Sequence, residues 1–354
     1  MRAKKFGVSL LTLIMISILI LSGCGKSDSN QSGSSSGSSG SAGSGEKTYK
    51  IAISTFSEAI PWQIQTLGIA KEAAKGFGGK VELSVFNSNM NTADQITQIQ
   101  NMINDKYDAI LVDASSATAL DPVLKKAKDA GIVIISYNSI VANPDVVHSR
   151  VYVDQKEWGA LMAEWLANKL NGKGNVVLIE GLSGNQISAD RTAGAEEVFA
   201  KYPDIKVLAK GAGEWDQATT EQLMQSWVTA FQDIDGVWSS GGGSSFGVVN
   251  VLLKNNKDLI PITGEAQNSW IKLWHDQKDN GLTSIAPVCP PYIAQIALNA
   301  AIRALEGESI PADLKLDIPI LTDDNLDEYY DPNSPDEWFA FDKITQEEID
   351  ALFN

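Results

Sequence analysis

The stretch Lys50-Ile51-Ala52-Ile53-Ser54 opens a pattern that the rest of the chain repeats: a short apolar run with branched side chains, then a segment whose apolar residues fall at helical spacing. Further candidate strands are Lys80–Phe86, Ala109–Asp113, Ile132–Tyr137, Val151–Val153, Asn175–Glu180, Lys206–Ala209, Gly236–Ser239, Ile260–Gly264 and Thr283–Ala286. Between them, Ile96, Ile99, Met102 and Ile103 share one helical face, as do Leu161, Trp165, Ala167 and Leu170, and Leu223, Trp227, Ala230 and Phe231. Short β-branched runs bounded by turn residues mark strands, and apolar residues three and four apart mark helices. Their alternation predicts an α/β fold, because parallel strands need crossover helices that then cover both faces of the sheet. So many strands exceed one ordinary open sheet, and the length suits about two domains. The division is expected after Val153, since the unit that runs from Lys50 to Tyr137 starts again at Gly174.

Ahead of this body, Arg2, Lys4 and Lys5 precede an apolar run from Val8 to Leu21 that is too short for a comfortable membrane span. Leu21-Ser22-Gly23-Cys24 resembles the lipobox of bacterial lipoprotein signal peptides. The resemblance implies cleavage after residue 23, a diacylglycerol on the Cys24 thiol and anchoring through at least two acyl tails. The following stretch to residue 47 is nearly all Ser and Gly, a composition that buries too little apolar surface to order itself. As a random coil it would reach roughly 25 Å, enough to stand a domain off a membrane.

Composition narrows the function. The formal net charge is −16, which argues against nucleic acid and polyanionic ligands. With 44% hydrophobic residues the body can bury a large core. Of the two cysteines, a lipidated Cys24 would leave Cys289 without a disulfide partner and the chain without a thiolate zinc site. The two histidines, His148 and His275, are expected at the surface, and neither lies near a metal-ligand pattern or a Gly-x-Ser-x-Gly elbow. No carboxylate pair is marked for glycoside hydrolysis among the 44 acids. Neither a metal nor a cofactor is expected, and the chain reads as a non-enzyme.

After Ala286 the pattern changes. Cys289-Pro290-Pro291 leads into a helix to Leu305, then come Leu314–Ile320 and an acidic tail carrying Tyr329, Tyr330, Trp338 and Phe339. Thr345 followed by Glu348 is a capping-box start for a last helix, and the tail is expected to pack on the body.

Open α/β sheets bind ligands at the carboxyl ends of their strands. There the chain places Trp62 and Gln63 after the first strand, Asp113 after the third, and Tyr137 and Asn138 after the fourth. The second half adds Asn185, Asp190 and Arg191, then Trp215, the run Gly241-Gly242-Gly243, and Glu265. The glycine run with Glu265 imitates a dinucleotide site, but its spacing is loose and it falls late in the chain; the same geometry suits any hydroxyl-rich ligand. Flat aromatics with amide, carboxylate and guanidinium groups match a neutral polyhydroxyl ring, whose apolar faces stack and whose hydroxyls take paired hydrogen bonds. Each residue also has a purely structural reading: Trp62 or Trp215 as core aromatics, Asp113 or Asp216 as helix caps, Arg191 as a surface ion pair.

Several local patterns occur in a fixed order: Lys50–Ser54 before Pro61-Trp62, Asp108–Asp113 before Thr118-Ala119-Leu120, Ala130-Gly131-Ile132 before Tyr137-Asn138, and Val153-Asp154-Gln155 before Gly159. Gly181-Leu182-Ser183-Gly184, Asp190–Gly194, Trp215-Asp216-Gln217, Ile234–Trp238 and Ile262–Glu265 follow. Together they resemble the type I periplasmic binding proteins, specifically sugar-binding subunits of ATP-driven importers in the ribose- and galactose-binding group. That resemblance implies two Rossmann-like lobes with parallel sheets, residues 48–153 with 288–318 and residues 154–287 with 319–354, joined by three crossovers and closing by a hinge on the ligand.

It further implies that Trp62 and Trp215 stack on opposite faces of the ligand and that Arg191 hydrogen-bonds it. Gln63, Asp113, Asn138 and Glu265, read at the strand ends, and Asp154 complete the expected ligand set. Asn138-Ser139, Gly241-Gly242 and Glu265-Ala266 depart from the ribose-binding pattern, which speaks against ribose itself. The expected role is a monomeric, lipid-anchored protein on the outer face of the cell membrane that delivers a neutral monosaccharide or polyol to a permease. Alternatives are presentation of the ligand to a chemoreceptor or sensor kinase, or an exported carbohydrate-active enzyme.

Overall fold

In strand β1 (Tyr49–Thr55), Ile51 and Ile53 belong to one apolar cluster while Ala52, between them, belongs to another. Successive strand side chains point to opposite faces, so both faces of this strand are covered. The computed structural model that shows this describes residues 47–354; the expected leader, Cys24 and the linker before Lys47 lie outside the described residues.

The first lobe runs β1, α1 (Pro61–Gly76), β2 (Val81–Asn87), α2 (Thr92–Asn104), β3 (Ala109–Val112), α3 (Asp121–Asp129), β4 (Val133–Tyr137) and β5 (Ser149–Tyr152). The second runs α4 (Gln155–Lys169), β6 (Lys173–Glu180), α5 (Gln186–Phe199), β7 (Asp204–Ala212), α6 (Gln217–Ala230), β8 (Gly236–Ser239), α7 (Gly242–Lys254), β9 (Ile262–Thr263), α8 (Asn268–Gln277) and β10 (Ser284–Pro287). Then come α9 (Ile293–Leu305), β11 (Asp313–Lys315), β12 (Ile320–Thr322), α10 (Leu326–Tyr329) and α11 (Gln346–Ala351).

Two six-stranded sheets result, in the orders β2-β1-β3-β4-β5-β11 and β7-β6-β8-β9-β10-β12. All pairs are parallel except β10 with β12. Both orders reverse direction at one point, between β1 and β3 and between β6 and β8. At such a switch point the following loops part, leaving a crevice at the strands' carboxyl ends. The chain crosses between sheets after β5, after β10 and after β11, and α9 packs on α1, β3 and β4 of the first lobe.

The single run read at Leu314–Ile320 divides between the lobes. Leu316 N–H still reaches Tyr152 O at 2.7 Å beside the first sheet, whereas the carbonyl of Pro319 accepts from Val288 N–H at 3.0 Å beside the second. Proline has no N–H to extend the first ladder, and the chain changes sheets there. The last helix does start with the capping box: Thr345 and Glu348 exchange side-chain and backbone bonds. The tail packs on the body, with Ile349 fully buried. Both histidines are half-buried and partnered: His148 Nδ1 accepts from Ile134 N–H at 2.9 Å, and the His275 ring stacks on Tyr330 at 3.7 Å.

Candidate functional site

The first lobe presents its polar groups in a relay. Pro61 occupies the first turn of α1, where its fixed φ suits the helix and its missing N–H is not needed. Trp62 and Gln63 are thereby held at the carboxyl end of β1. Trp62 Nε1 donates to Cys289 O at 2.7 Å, tying α1 to the segment after β10. Gln63 Nε2 donates to Asp113 Oδ2 at 2.6 Å, and the other carboxylate oxygen accepts from Asn138 Nδ2 at 3.2 Å and Ser139 N–H at 3.1 Å. Asp113 is completely buried, and that burial pushes its carboxyl up to about 7 although these bonds pull it down. Asn138 has φ 55°, a left-handed conformation that asparagine tolerates better than most residues.

The second lobe uses a charge pair. Helices α4 and α5 pack so closely that a Cβ on Gly159 would lie 1.9 Å from Arg191 O, so only glycine permits this approach. The approach lays the Arg191 guanidinium over the Trp158 ring, 3.6 Å from its centroid. Arg191 Nη1 and Nη2 donate to the two carboxylate oxygens of Glu265, each at 3.2 Å, while Nε donates to Gln155 Oε1 at 2.8 Å and Nη1 also to Ser240 O at 3.0 Å. The Trp215 indole donates to Ser240 Oγ at 3.2 Å and lies against Gly241, where an added Cβ would sit 2.6 Å from its ring.

These groups converge on one cavity of about 70 Å³ between the lobes. About 10–15 Å³ suffices for one water, so there is room for a small molecule. Of the residues expected from the sequence, Trp62, Gln63, Asn138, Arg191, Trp215 and Glu265 line it, together with Gly241, Gly242 and Gly243. Asp113 does not reach the wall; it stands behind Gln63 and Asn138 and orients them. Asp154 is set apart: its side chain caps α4 by accepting from the N–H groups of Lys156 and Glu157, beside a separate depression. Of the two aspartates read as possible caps, Asp216 caps α6 and Asp113 caps no helix.

Sequence reading missed Gln267, Ile187, Phe339 and Cys289 as wall components. Ile187, one helical turn before Arg191 on α5, and Gln267, two residues after Glu265, were within reach of local reading, whereas Phe339 and Cys289 reach the cavity only through the packing of distant segments. Among the described residues, no cluster of His, Cys, Asp and Glu could hold a metal ion, and no helix is long and apolar enough to cross a membrane.

The sequence profile of the periplasmic binding protein domain matches residues 51–309. The chain belongs to that family. It is 30% identical over 258 residues to the xylitol-binding protein of Mycolicibacterium smegmatis, covering 70% of each chain. It is 26% identical over 236 residues to a galactofuranose-binding protein of Escherichia coli, covering 64% of this chain and 74% of that one. An ABC transporter solute-binding protein from Thermobispora bispora superposes with a TM-score of 0.76 at 25% identity, covering 86% of this chain and 94% of the other. As the sequence reading expected, this family member stands among binding proteins of transport systems and not among enzymes.

Proposed function

We propose that the protein captures a neutral monosaccharide or sugar alcohol in the interlobe cavity and delivers it to the permease of an ATP-driven importer, working outside the cell membrane on a lipid anchor at Cys24. The observation that carries this reading is the composition of the cavity wall. Two indoles, Trp62 and Trp215, stand with a set of amides and one ion pair whose charges cancel. Indole faces suit the C–H faces of a polyol, and amide, guanidinium and carboxylate groups together donate and accept as hydroxyls require. A charged ligand would meet no uncompensated partner there, because Arg191 is already paired with Glu265. The names of the matched relatives, a xylitol binder and a galactofuranose binder, point to the same ligand class.

The test is titration calorimetry of the Cys24→Ser chain against xylitol, ribitol, D-galactose, D-ribose and the anionic sugar acid gluconate. A neutral member should bind at about micromolar Kd or tighter, without turnover. Binding of none, or preference for gluconate, would count against the reading. The same variant checks the anchor: it should leave the membrane fraction in which the unmodified chain stays, and retention on washed membranes refutes lipidation at Cys24.

A further inference from the structure

The acidic, aromatic tail runs from the second lobe to the first and passes through the cavity wall. It starts where Tyr330 stacks on His275 of α8. Helix α8 has no side-chain cap at Gln267, and tail carbonyls take its first N–H groups instead: Asn268 N–H bonds Trp338 O at 2.7 Å and Ser269 N–H bonds Asp336 O at 3.0 Å. Lys272 pairs with Asp336 at 2.8 Å, and Ala340 N–H donates to Ala266 O at 2.8 Å. All of these anchors belong to the second lobe.

Between Trp338 and Ala340, the backbone of Phe339 is held by the first lobe. Its N–H donates to Gln65 Oε1 at 2.8 Å and its carbonyl accepts from Gln65 Nε2 at 3.1 Å, a clip made by a buried side chain of α1. Beyond the clip, α11 docks on α9 of the first lobe through Arg303 and Asp350 at 2.6 Å and the buried Ile349. Phe339 is part of the cavity lining. The segment also lies beyond the residues matched to the family profile, which end at 309.

We propose that residues 330–354 form a strap built into the binding site, a fourth link between the lobes, in which Phe339 determines specificity by closing one end of the cavity to ligands larger than a single sugar or polyol. The role of Phe339 rests on the reading of this cavity as the ligand site; the strap does not. Separating the lobes past the clip strands the buried N–H and C=O of Phe339, groups that are rarely left unpaired inside proteins. Gln65 is accordingly a positioning residue: it acts on the ligand only through Phe339.

The test compares the full-length chain with Gln65→Ala and Phe339→Ala, with Phe339→Leu as the milder variant should the alanine chain fold poorly. In the absence of any ligand, small-angle scattering should give Gln65→Ala a larger radius of gyration than the unmodified chain. Equal radii overturn the strap. With xylitol and the disaccharide maltose as probes, Phe339→Ala should shift the ratio of affinities toward maltose by about tenfold or more, with Phe339→Leu in between. An unchanged ratio overturns the specificity role. If the unmodified chain binds none of maltose, xylitol, ribitol, D-galactose and D-ribose while the scattering difference is present, the strap stands, and the specificity role falls together with the sugar-binding reading of the cavity; if it binds one of the others, that compound replaces xylitol in the ratio.

Discussion

Each lobe holds one arginine in a two-pronged bond to a carboxylate, and the two pairs differ in nearly everything except chemistry. In the first lobe Arg150 Nε and Nη2 meet the oxygens of Asp313 at 2.6 and 2.9 Å, clipping β11 onto β5 at the sheet edge, with side-chain exposures of 17% and 43%. In the second lobe Arg191 meets Glu265 at longer distances, 3.2 Å for both bonds, with exposures of 3% and 10%. Water screens the first pair and would solvate either partner left alone, so it stabilises little. The second pair has no such recourse. Two charges are taken out of water, and the pairing offsets that cost only while both partners remain. Length of the hydrogen bonds therefore says less about what a pair does than where it stands, and the buried one stands in the cavity wall.

The contrast can be broken most forcefully at Arg191. Arg191→Ala leaves Glu265 buried and unpaired and removes the layer over Trp158, so chemical denaturation should show a loss of about 3–5 kcal/mol, with ligand binding abolished. The double variant Arg191→Met with Glu265→Leu should recover much of the stability but none of the binding. Should Arg191→Ala alone prove as stable as the unmodified chain, the pair is not the desolvated one described.

A second, smaller effect concerns Asp113, the buried acid of the first lobe. Its folded pKa of about 7 lies above the ordinary value of 3.8, so in the window between them the folded chain holds a proton that the unfolded chain has lost. Stability attached to Asp113 therefore falls as pH rises, by roughly 2–3 kcal/mol between about pH 5 and pH 8, and levels off above the folded pKa. Denaturation of the unmodified chain and Asp113→Asn across that range should give a stability difference that changes with pH in this direction. A pH-independent difference would mean that Asp113 stays ionised throughout. The smallest effect belongs to the exposed pair: Arg150→Ala should cost about 1 kcal/mol or less, shrinking further at high salt, and a larger salt-insensitive loss would erase the distinction between the pairs.

The alternation of strands and helices was legible from Lys50 onward because it is a local property. Strand and helix periods are written in neighbouring side chains, and so is a cap such as Thr345 with Glu348. Trp62, Gln63, Asn138, Arg191, Trp215 and Glu265 could be named because strand ends and loop starts are visible in the same way, and the switch points of both sheets bring those ends to one crevice. Asp154 shows the limit of naming a site residue from its place in the chain: Glu157 three residues on is the local sign of a cap, and the side chain caps α4.

Other features had no local sign at all. That Arg191 pairs with Glu265, 74 residues away, depends on α5 and the segment after β9 meeting at the carboxyl end of the second sheet, and that Gln65 holds Phe339, 274 residues away, depends on the tail returning across both lobes. The sequence by itself determined the kinds of elements and their order, since these follow from propensity and periodicity within a few residues. Only the tertiary structure decided that Leu314–Ile320 splits between two sheets, that Asp113 supports the wall from behind, and that an acidic tail supplies an aromatic to the cavity. Each of those outcomes depends on which distant groups share a dry environment, and burial is a property of the packed whole.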